Sequence, residues 1–290
     1  MVRRRIRLAQ NFFRDPRLVA SIVAQARFDR RDVVYEIGPG EGIITRALAR
    51  VCGRVVAVEI DRELFARLRA RFRDVRNVEL HNEDFLGYRI RDRPYKIFSA
   101  IPYNRTAGIM RKLLRAEASP TEAYLVMQKD AAEKFAGTPR ERQASLLIKP
   151  WFSLAIVRRF QRTDFEPVPG VDSVLLRIRR RDRPLVSSGD PRLYRAFVRY
   201  GFSRWRANLR QNFKEVFTAT QWKRLARNLG FHIRAQPSDL RFEQWLGIFE
   251  FFLGGIARSQ ITVPAGLLCR PGRSGPRRRR RRPLQGSPGP

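Results

Sequence analysis

One stretch, Glu36-Ile37-Gly38-Pro39-Gly40-Glu41-Gly42, constrains the fold of this chain more than any other. It follows a short apolar run, Val33 to Ile37, and leads into residues with helical spacing at Ile44, Leu48 and Val51. Glycines at a strand-to-helix turn bring the backbone close to a ligand with no Cβ in the way. The next run, Val55 to Ile60, is β-branched and carries Glu59 about 20 positions beyond the first glycine. A carboxylate at that strand end accepts hydrogen bonds from both hydroxyls of a ribose. Strand, glycine turn, helix, strand and acid in one register argue against a turn that is merely tight. An adenosine ribose is common to nicotinamide dinucleotides and S-adenosyl-L-methionine, so the glycine turn alone leaves both open.

The alternation continues. Spacing predicts a helix over 64–72, strands near 78–81 and over 97–101, a helix over 109–114 and a strand over 123–127. Strands and helices alternating at this length imply a parallel sheet covered on both faces. After Lys129 come a helical stretch to Phe135 and a polar loop, then strands over 151–160 and 173–178 that bracket Phe165-Glu166-Pro167-Val168-Pro169-Gly170. These read as a late hairpin on the parallel sheet. Beyond the basic run 179–183 the signals are helical. Asp190 caps a helix with Pro191 at its first position, and Thr220 caps one that holds Trp222, Leu225 and Leu229 before Gly230. Ser238 opens a third, with Leu246 and Phe249, ahead of Gly254-Gly255. The expected organisation is a basic N-terminal segment over 1–30, an α/β domain over 31–183, a small helical domain over 184–255 and a disordered arginine-rich tail over 256–290.

Charge identifies the class of partner. The chain carries 60 Lys+Arg against 27 Asp+Glu, a net +33, and 53 of the basic residues are arginine. Codon bias explains arginine over lysine, but not base over acid. The stretch 251–290 holds +9, so the remainder still carries +24, of which 151–250 supplies +11 and 31–150 only +7. A polycationic body calls for an extended polyanion, and the guanidinium fork suits phosphates and base faces. No long helix shows one clean basic face, which favours nucleic acid over a membrane surface. With 43% hydrophobic residues and 20 Phe the chain fills a substantial core. Cys52, Cys269, His81 and His232 lack zinc-ligand spacing, so no metal is expected. No apolar segment follows Arg3-Arg4-Arg5, and no run of eighteen apolar residues occurs. A reduced, soluble, cytoplasmic protein is the expectation.

Two downstream motifs decide for S-adenosyl-L-methionine. Glu83-Asp84-Phe85 follows the third strand, where a carboxylate accepts from an adenine amino group. Ala100-Ile101-Pro102-Tyr103 follows the fourth, where a ring held by proline stacks on a planar substrate. A nicotinamide enzyme would also need a catalytic histidine, and neither histidine is in a suitable place.

Together with Gln10-Asn11-Phe12 and Phe165-x-Pro-x-Pro-x-Val-x-Ser173, these motifs stand in the order found in the rRNA adenine N6-dimethyltransferases, which the chain resembles over roughly residues 3–255. Within that superfamily, Gln128-Lys129-Asp130, Lys149-Pro150-Trp151-Phe152 and Arg162-Thr163-Asp164-Phe165 resemble the Erm branch of actinomycetes. That branch modifies 23S rRNA and confers resistance to macrolide, lincosamide and streptogramin B antibiotics. The resemblance implies a Rossmann-like class I S-adenosylmethionine-dependent methyltransferase domain with a late antiparallel hairpin, plus a small C-terminal all-helical domain. Its partner would be 23S rRNA, free or in a ribosome precursor, and the chain a monomer.

By the same resemblance, Gln10, Asn11 and Phe12 would close over the cofactor. Gly38, Gly40 and Glu59 would hold its methionine and ribose parts, Asp84 its adenine, and Glu36 and Ile60 would also bind it. Ala100, Ile101, Pro102 and Tyr103 would line the methyl-transfer site, with Ala100 also touching the cofactor, and Phe165 would help sandwich the target base. Arg3, Arg4, Arg5, Arg7, Arg105, Arg199, Arg204, Arg206 and Arg210 are the expected RNA contacts.

The chemistry follows from the target. An adenine must leave its stack to present N6, at a cost of a few kcal/mol, and stacking on an aromatic ring offsets roughly 1–3 kcal/mol of that. Backbone carbonyls at Ala100 and Ile101 that accept the N6 hydrogens would draw the nitrogen toward tetrahedral geometry, and no dedicated base is needed. The family usually has Asn where this chain has Ala100, so the side-chain acceptor is missing and a slower reaction or a bias to monomethylation is in view. Two alternatives remain at this point. KsgA-type small-subunit enzymes usually carry Asn-Leu-Pro-Tyr and a Tyr-Gly-Arg-Leu-Ser-like stretch, whereas this chain reads Ala-Ile-Pro-Tyr and Gln143-Ala-Ser-Leu-Leu. A non-catalytic nucleic-acid-binding protein on the same fold is favoured only by Ala100.

Overall fold

A computed structural model of the 290-residue chain describes residues 12–114, 119–186, 191–204 and 207–257. Nine strands are found there: β1 Phe12–Phe13, β2 Val33–Ile37, β3 Arg54–Val58, β4 Val78–His81, β5 Lys96–Ala100, β6 Glu122–Gln128, β7 Phe152–Arg159, β8 Phe165–Glu166 and β9 Ser173–Arg180. Seven form one sheet in the order β4-β3-β2-β5-β6-β9-β7. The pairs from β4 through β6 are parallel, whereas β9 runs antiparallel to both β6 and β7. The expected parallel sheet with a late hairpin is therefore present, with β9 as its inner arm and β7 at the edge.

Side-chain alternation divides the strands between two cores. Val34, Val55, Phe98, Tyr124 and Leu175 face α1 Pro16–Gln25 and α2 Ile43–Val51. Tyr35, Val56, Ile97, Leu125 and Leu176 face the opposite way, into the larger core. Helix α1 lies inside the segment read as merely basic. Asp15 caps it by accepting from Arg17 N at 2.7 Å, Pro16 is its first residue, and Val19, Ile22 and Val23 are buried. The remaining helices of the α/β part are α3 Arg62–Arg71, α4 Thr106–Leu113, α5 Lys129–Ala136 and α6 Gln143–Leu146.

The C-terminal helices are α7 Pro191–Gly201, α8 Leu209–Asn212, α9 Ala219–Leu229 and α10 Phe242–Ala257. Three expected boundaries shift. Helix α9 is capped by Thr218 rather than Thr220, because Thr218 and Gln221 form a reciprocal capping box at 3.2 and 2.8 Å. Ser238 lies in a 3-10 turn, Pro237–Asp239, closed by Gln236 N donating to Asp239, and α10 starts only at Phe242. It then runs through Gly254 and Gly255, because Phe249 and Phe252 anchor its apolar face in the core.

That core is continuous with the sheet's own. Tyr194, Phe197, Trp222, Trp245 and Phe252 belong to the same buried cluster as Tyr35 and Leu125. Tyr194 sits at the join, donating to the Leu146 carbonyl at 3.1 Å and meeting the Trp151 ring edge-on at 5.8 Å. Each such large apolar side chain stabilises the fold by about 1.5–3 kcal/mol on burial. No helix among the described residues is long and apolar enough to cross a membrane. The tail from Arg258 onward lies outside the described residues.

Candidate active site

The parallel strands β2, β3, β5 and β6 all end on one side of the sheet, and the loops that leave them meet there, as ligand sites do in open α/β sheets. A cleft at this edge is lined by Phe12, Gly38, Pro39, Ile43, Ala100 and Tyr103, with Phe13, Ile44, Ile101, Pro102, Val126 and Phe165 completing it. The structure therefore brings Phe12, Gly38, Ala100 to Tyr103 and Phe165 into one wall. Sequence reasoning missed Phe13, Ile43, Ile44 and Val126, apolar residues with no motif to set them apart.

The glycine turn has the backbone its sequence called for. Gly38, Gly40 and Gly42 have φ of +65°, +60° and +80°, the left-handed region in which side chains are strained. Gly38 donates to the Val58 carbonyl at 2.9 Å, and Gly40 N donates to Glu59 Oε2 at 3.1 Å. A Cβ at Gly40 would come within 2.1 Å of the Phe12 ring, so that ring lies directly on the turn.

Glu59 and Glu36 are both buried. Glu59 accepts from Gly40 N and, at 2.9 Å, from Asp61 N; burial raises its carboxyl above the usual range, and those two N–H groups oppose the rise. Glu36 does not face the cleft as expected. It accepts the Thr45 hydroxyl at 2.6 Å, and burial, reinforced by the charge of Glu59, pushes it up to about 8. Ile60 is exposed, with 42% of its surface open beside Glu59.

Asp84 and Arg105, expected at the cofactor adenine and on RNA, meet each other in the structure. Arg105 Nη2 lies 2.5 Å from Asp84 Oδ2, while Asp84 Oδ1 accepts from Leu86 N at 2.9 Å. The arginine expected on RNA is turned back onto the carboxylate expected to read adenine. Both sit beside the opening, Asp84 after β4 and Arg105 at the end of the 3-10 turn Tyr103–Arg105.

At the methyl-transfer end, Ser99 Oγ donates to the Ile37 carbonyl at 2.6 Å and ties β5 to the glycine strand. Ile101 N donates to the Val126 carbonyl at 3.0 Å, and Pro102 holds extended backbone ahead of the Tyr103 turn. Tyr103 Oη is 2.6 Å from Ser173 Oγ. Phe165 is only 1% exposed, with its ring against Phe13 at 4.6 Å and Phe160 at 5.7 Å. Neighbouring rings thus pack closely around it, whereas Tyr103, which lines the same cleft, is only half-buried. Strand β8, which holds Phe165, pairs with β1 in a two-stranded sheet that joins the N-terminal segment to the proline loop.

Gln10, Asn11, Arg3, Arg4, Arg5, Arg7 and Arg206 lie outside the described residues. Arg199 is exposed beside a groove between α4, α6 and α7, Arg204 pairs with Glu215 at 3.8 Å, and Arg210 is exposed on α8. These arginines do not reach the cleft lining. Among the described residues no group of three or more His, Cys, Asp or Glu is gathered as a metal site.

A Cβ-free turn beside an apolar cleft fits an adenosyl sulfonium cofactor, while Glu59, which would hold its ribose, is buried beneath the turn with both oxygens accepting backbone N–H groups. Bound there, S-adenosylmethionine supplies an electrophilic methyl group. On the other wall of the same cleft the chain itself places the Tyr103 ring and the Ala100–Ile101 strand end.

Comparison with known proteins bears on the family and the fold. The family model described as ribosomal RNA adenine dimethylase matches residues 1–253. A Saccharopolyspora erythraea protein named rRNA adenine N-6-methyltransferase is 32% identical over 249 residues, 86% of this chain; the matched region spans 65% of that relative's length. A ribosomal RNA small subunit methyltransferase A from Acaryochloris marina is 31% identical, over 86% of this chain and 97% of its own. Among solved structures, the 23S rRNA methyltransferase ErmE aligns with a TM-score of 0.77 at 32% identity, covering 82% of this chain and 98% of ErmE. The chain belongs to the ribosomal RNA adenine dimethylase family, the S-adenosyl-L-methionine-dependent rRNA adenine N6-methyltransferases.

Proposed function

We propose that this protein methylates N6 of a specific adenine in 23S rRNA and thereby confers macrolide, lincosamide and streptogramin B resistance. The observation that carries the reading is the single cleft wall in which the glycine turn, Ala100 to Ile101 and the Tyr103 ring converge. A flipped adenine stacked on Tyr103 offers N6 to the Ala100 and Ile101 carbonyls, with the cofactor methyl approaching from the glycine side. Likeness to ErmE and the Arg162-Thr163-Asp164-Phe165 stretch support the large-subunit target. Free rRNA or a precursor, a monomeric enzyme and a cytoplasmic location belong to the same reading. Ala100 leaves only main-chain acceptors, so monomethyladenine is a substantial product, and Ala100→Asn shifts it toward dimethyladenine.

The test is primer extension across 23S rRNA from an erythromycin-sensitive host that expresses the protein. A strong stop at one adenine, with erythromycin survival, is the expected result. An unmodified 23S rRNA in a sensitive host overturns it. The second reading, a small-subunit enzyme, is favoured by the Acaryochloris marina relative; it predicts a stop in 16S rRNA instead.

A further inference from the structure

The basic run 179–183 has no part in the cleft chemistry. Strand β9 explains where it goes. Ser173, opposite Gln128, lies at the cleft end of the sheet, whereas Arg179, opposite Glu122, lies at the other end. Six residues of strand separate them, about 20 Å at 3.3 Å per residue. There Arg177, Arg179, Arg180, Arg181 and Arg183 wall a trough along the β7 edge. Its floor is low because Ser153 and Ala155, opposite Arg179 and Arg177, carry small side chains.

Two of these arginines are engaged in the fold. Arg177 Nε donates to Glu122 at 2.6 Å, and Arg181 Nε donates to the Lys149 carbonyl at 3.0 Å. Arg179, Arg180 and Arg183 are exposed, and the trough's one acidic residue is Asp182. Arg93 adds to the same end, stacked over the Tyr95 ring at 4.9 Å. A solvated face of mixed sign, with each cation offset by an acid, is the ordinary arrangement; here five arginines and a single aspartate line one trough. Arginines gathered along one trough gain most from an extended anion with regularly spaced charges.

We infer that this trough binds the phosphate backbone of the RNA substrate outside the target hairpin, as a docking surface separate from the methyl-transfer cleft. The inference rests on the proposed rRNA substrate for its occupant, but not on which adenine is modified. Guanidinium groups at Arg179, Arg180 and Arg183 each pair with a phosphate and displace counterions. The trough thus supplies affinity for long RNA and no sequence preference.

The experiment compares the full chain with its Arg179→Gln/Arg180→Gln/Arg183→Gln variant. RNA affinity is measured without cofactor across a salt series, on a long 23S domain fragment and on the short target stem-loop. Removing three phosphate contacts reduces the slope of log K against log salt on the long fragment by about 2 to 3, and leaves the stem-loop slope unchanged. A triple Arg→Lys variant keeps the wild-type slope, and equal melting temperatures confirm that all three fold. An unchanged slope on the long fragment overturns the inference. So does an equal loss on both RNAs, which would put these arginines in the target groove. Methylation of the stem-loop, followed in parallel, stays at wild-type level in the variant; absence of methylation in the wild type would count against the proposed function alone.

Discussion

Tyr103 Oη and Ser173 Oγ lie 2.6 Å apart, the first in the turn after β5 and the second at the start of β9. Ser173 is buried, so the bond fixes the ring from beneath the cleft. Ser173→Ala removes one hydrogen bond worth about 1 kcal/mol, and methyl transfer slows about fivefold. KM for S-adenosylmethionine stays unchanged, and Ser173→Thr, which keeps the hydroxyl, recovers part of the rate. Single-turnover kinetics on an rRNA stem-loop measure both.

The Asp84–Arg105 pair makes a second prediction. A cofactor adenine that donates to Asp84 competes with the Arg105 guanidinium for the same carboxylate. The pair is partly exposed and worth no more than about 1 kcal/mol, so Arg105→Gln tightens cofactor binding by up to about fivefold. Asp84→Ala weakens it. Isothermal titration reads both directions, and looser binding in Arg105→Gln would show that the arginine orients Asp84 instead of competing for it.

Gly40 permits one residue only. Its φ of +60° strains any side chain, and a Cβ would strike the Phe12 ring. Gly40→Ala costs about 1–3 kcal/mol of stability and lowers cofactor affinity. Adding Phe12→Ala relieves the collision but not the backbone strain, so a thermal melt of the double variant recovers only part of the loss.

Glu36 governs a pH dependence. Its carboxyl is raised to about 8 in the folded chain, first by burial and then by the charge of Glu59, against about 4.3 when unfolded. Between these values the folded state holds a proton that the unfolded state has lost. Stability from this group is therefore full below about 4.3 and falls as pH rises toward 8. Glu36→Gln keeps an acceptor for Thr45 without the ionisation, and its melting temperature declines less than the wild type's between pH 5 and 8.

What could be read from the chain alone follows the range of the interactions. The glycine turn, the strands ending at Ile37 and Ala100 and the late hairpin are set by local pattern, and they stand where spacing put them, to within about two residues. Helix α1, with its apolar positions Val19, Ile22 and Val23, is subsumed in the basic segment 1–30, whose arginines cluster at 3–7 and lie mostly outside the helix. Thr218 competed with Thr220 for the same cap, and only the reciprocal bond with Gln221 separates them. The side-chain partners were harder. Nothing local to Arg105 reveals that it bends 21 positions back to Asp84, nor does anything near Phe165 announce the Phe13 and Phe160 rings that cover it. Those contacts depend on how loops from separate strands converge.

Strand β9 sets a fixed distance. Ser173 at one end and Arg179 at the other are joined by a rod whose side chains alternate at every step. A single inserted residue would swap its two faces, sending Leu175 and Leu176 into each other's cores, unless a bulge took it up as β7 does between Ile156 and Arg158. Each inserted pair of residues would move the arginine end about 7 Å from the tyrosine. The separation between the arginine trough and the cleft is thus a property of strand length, which no loop movement can alter.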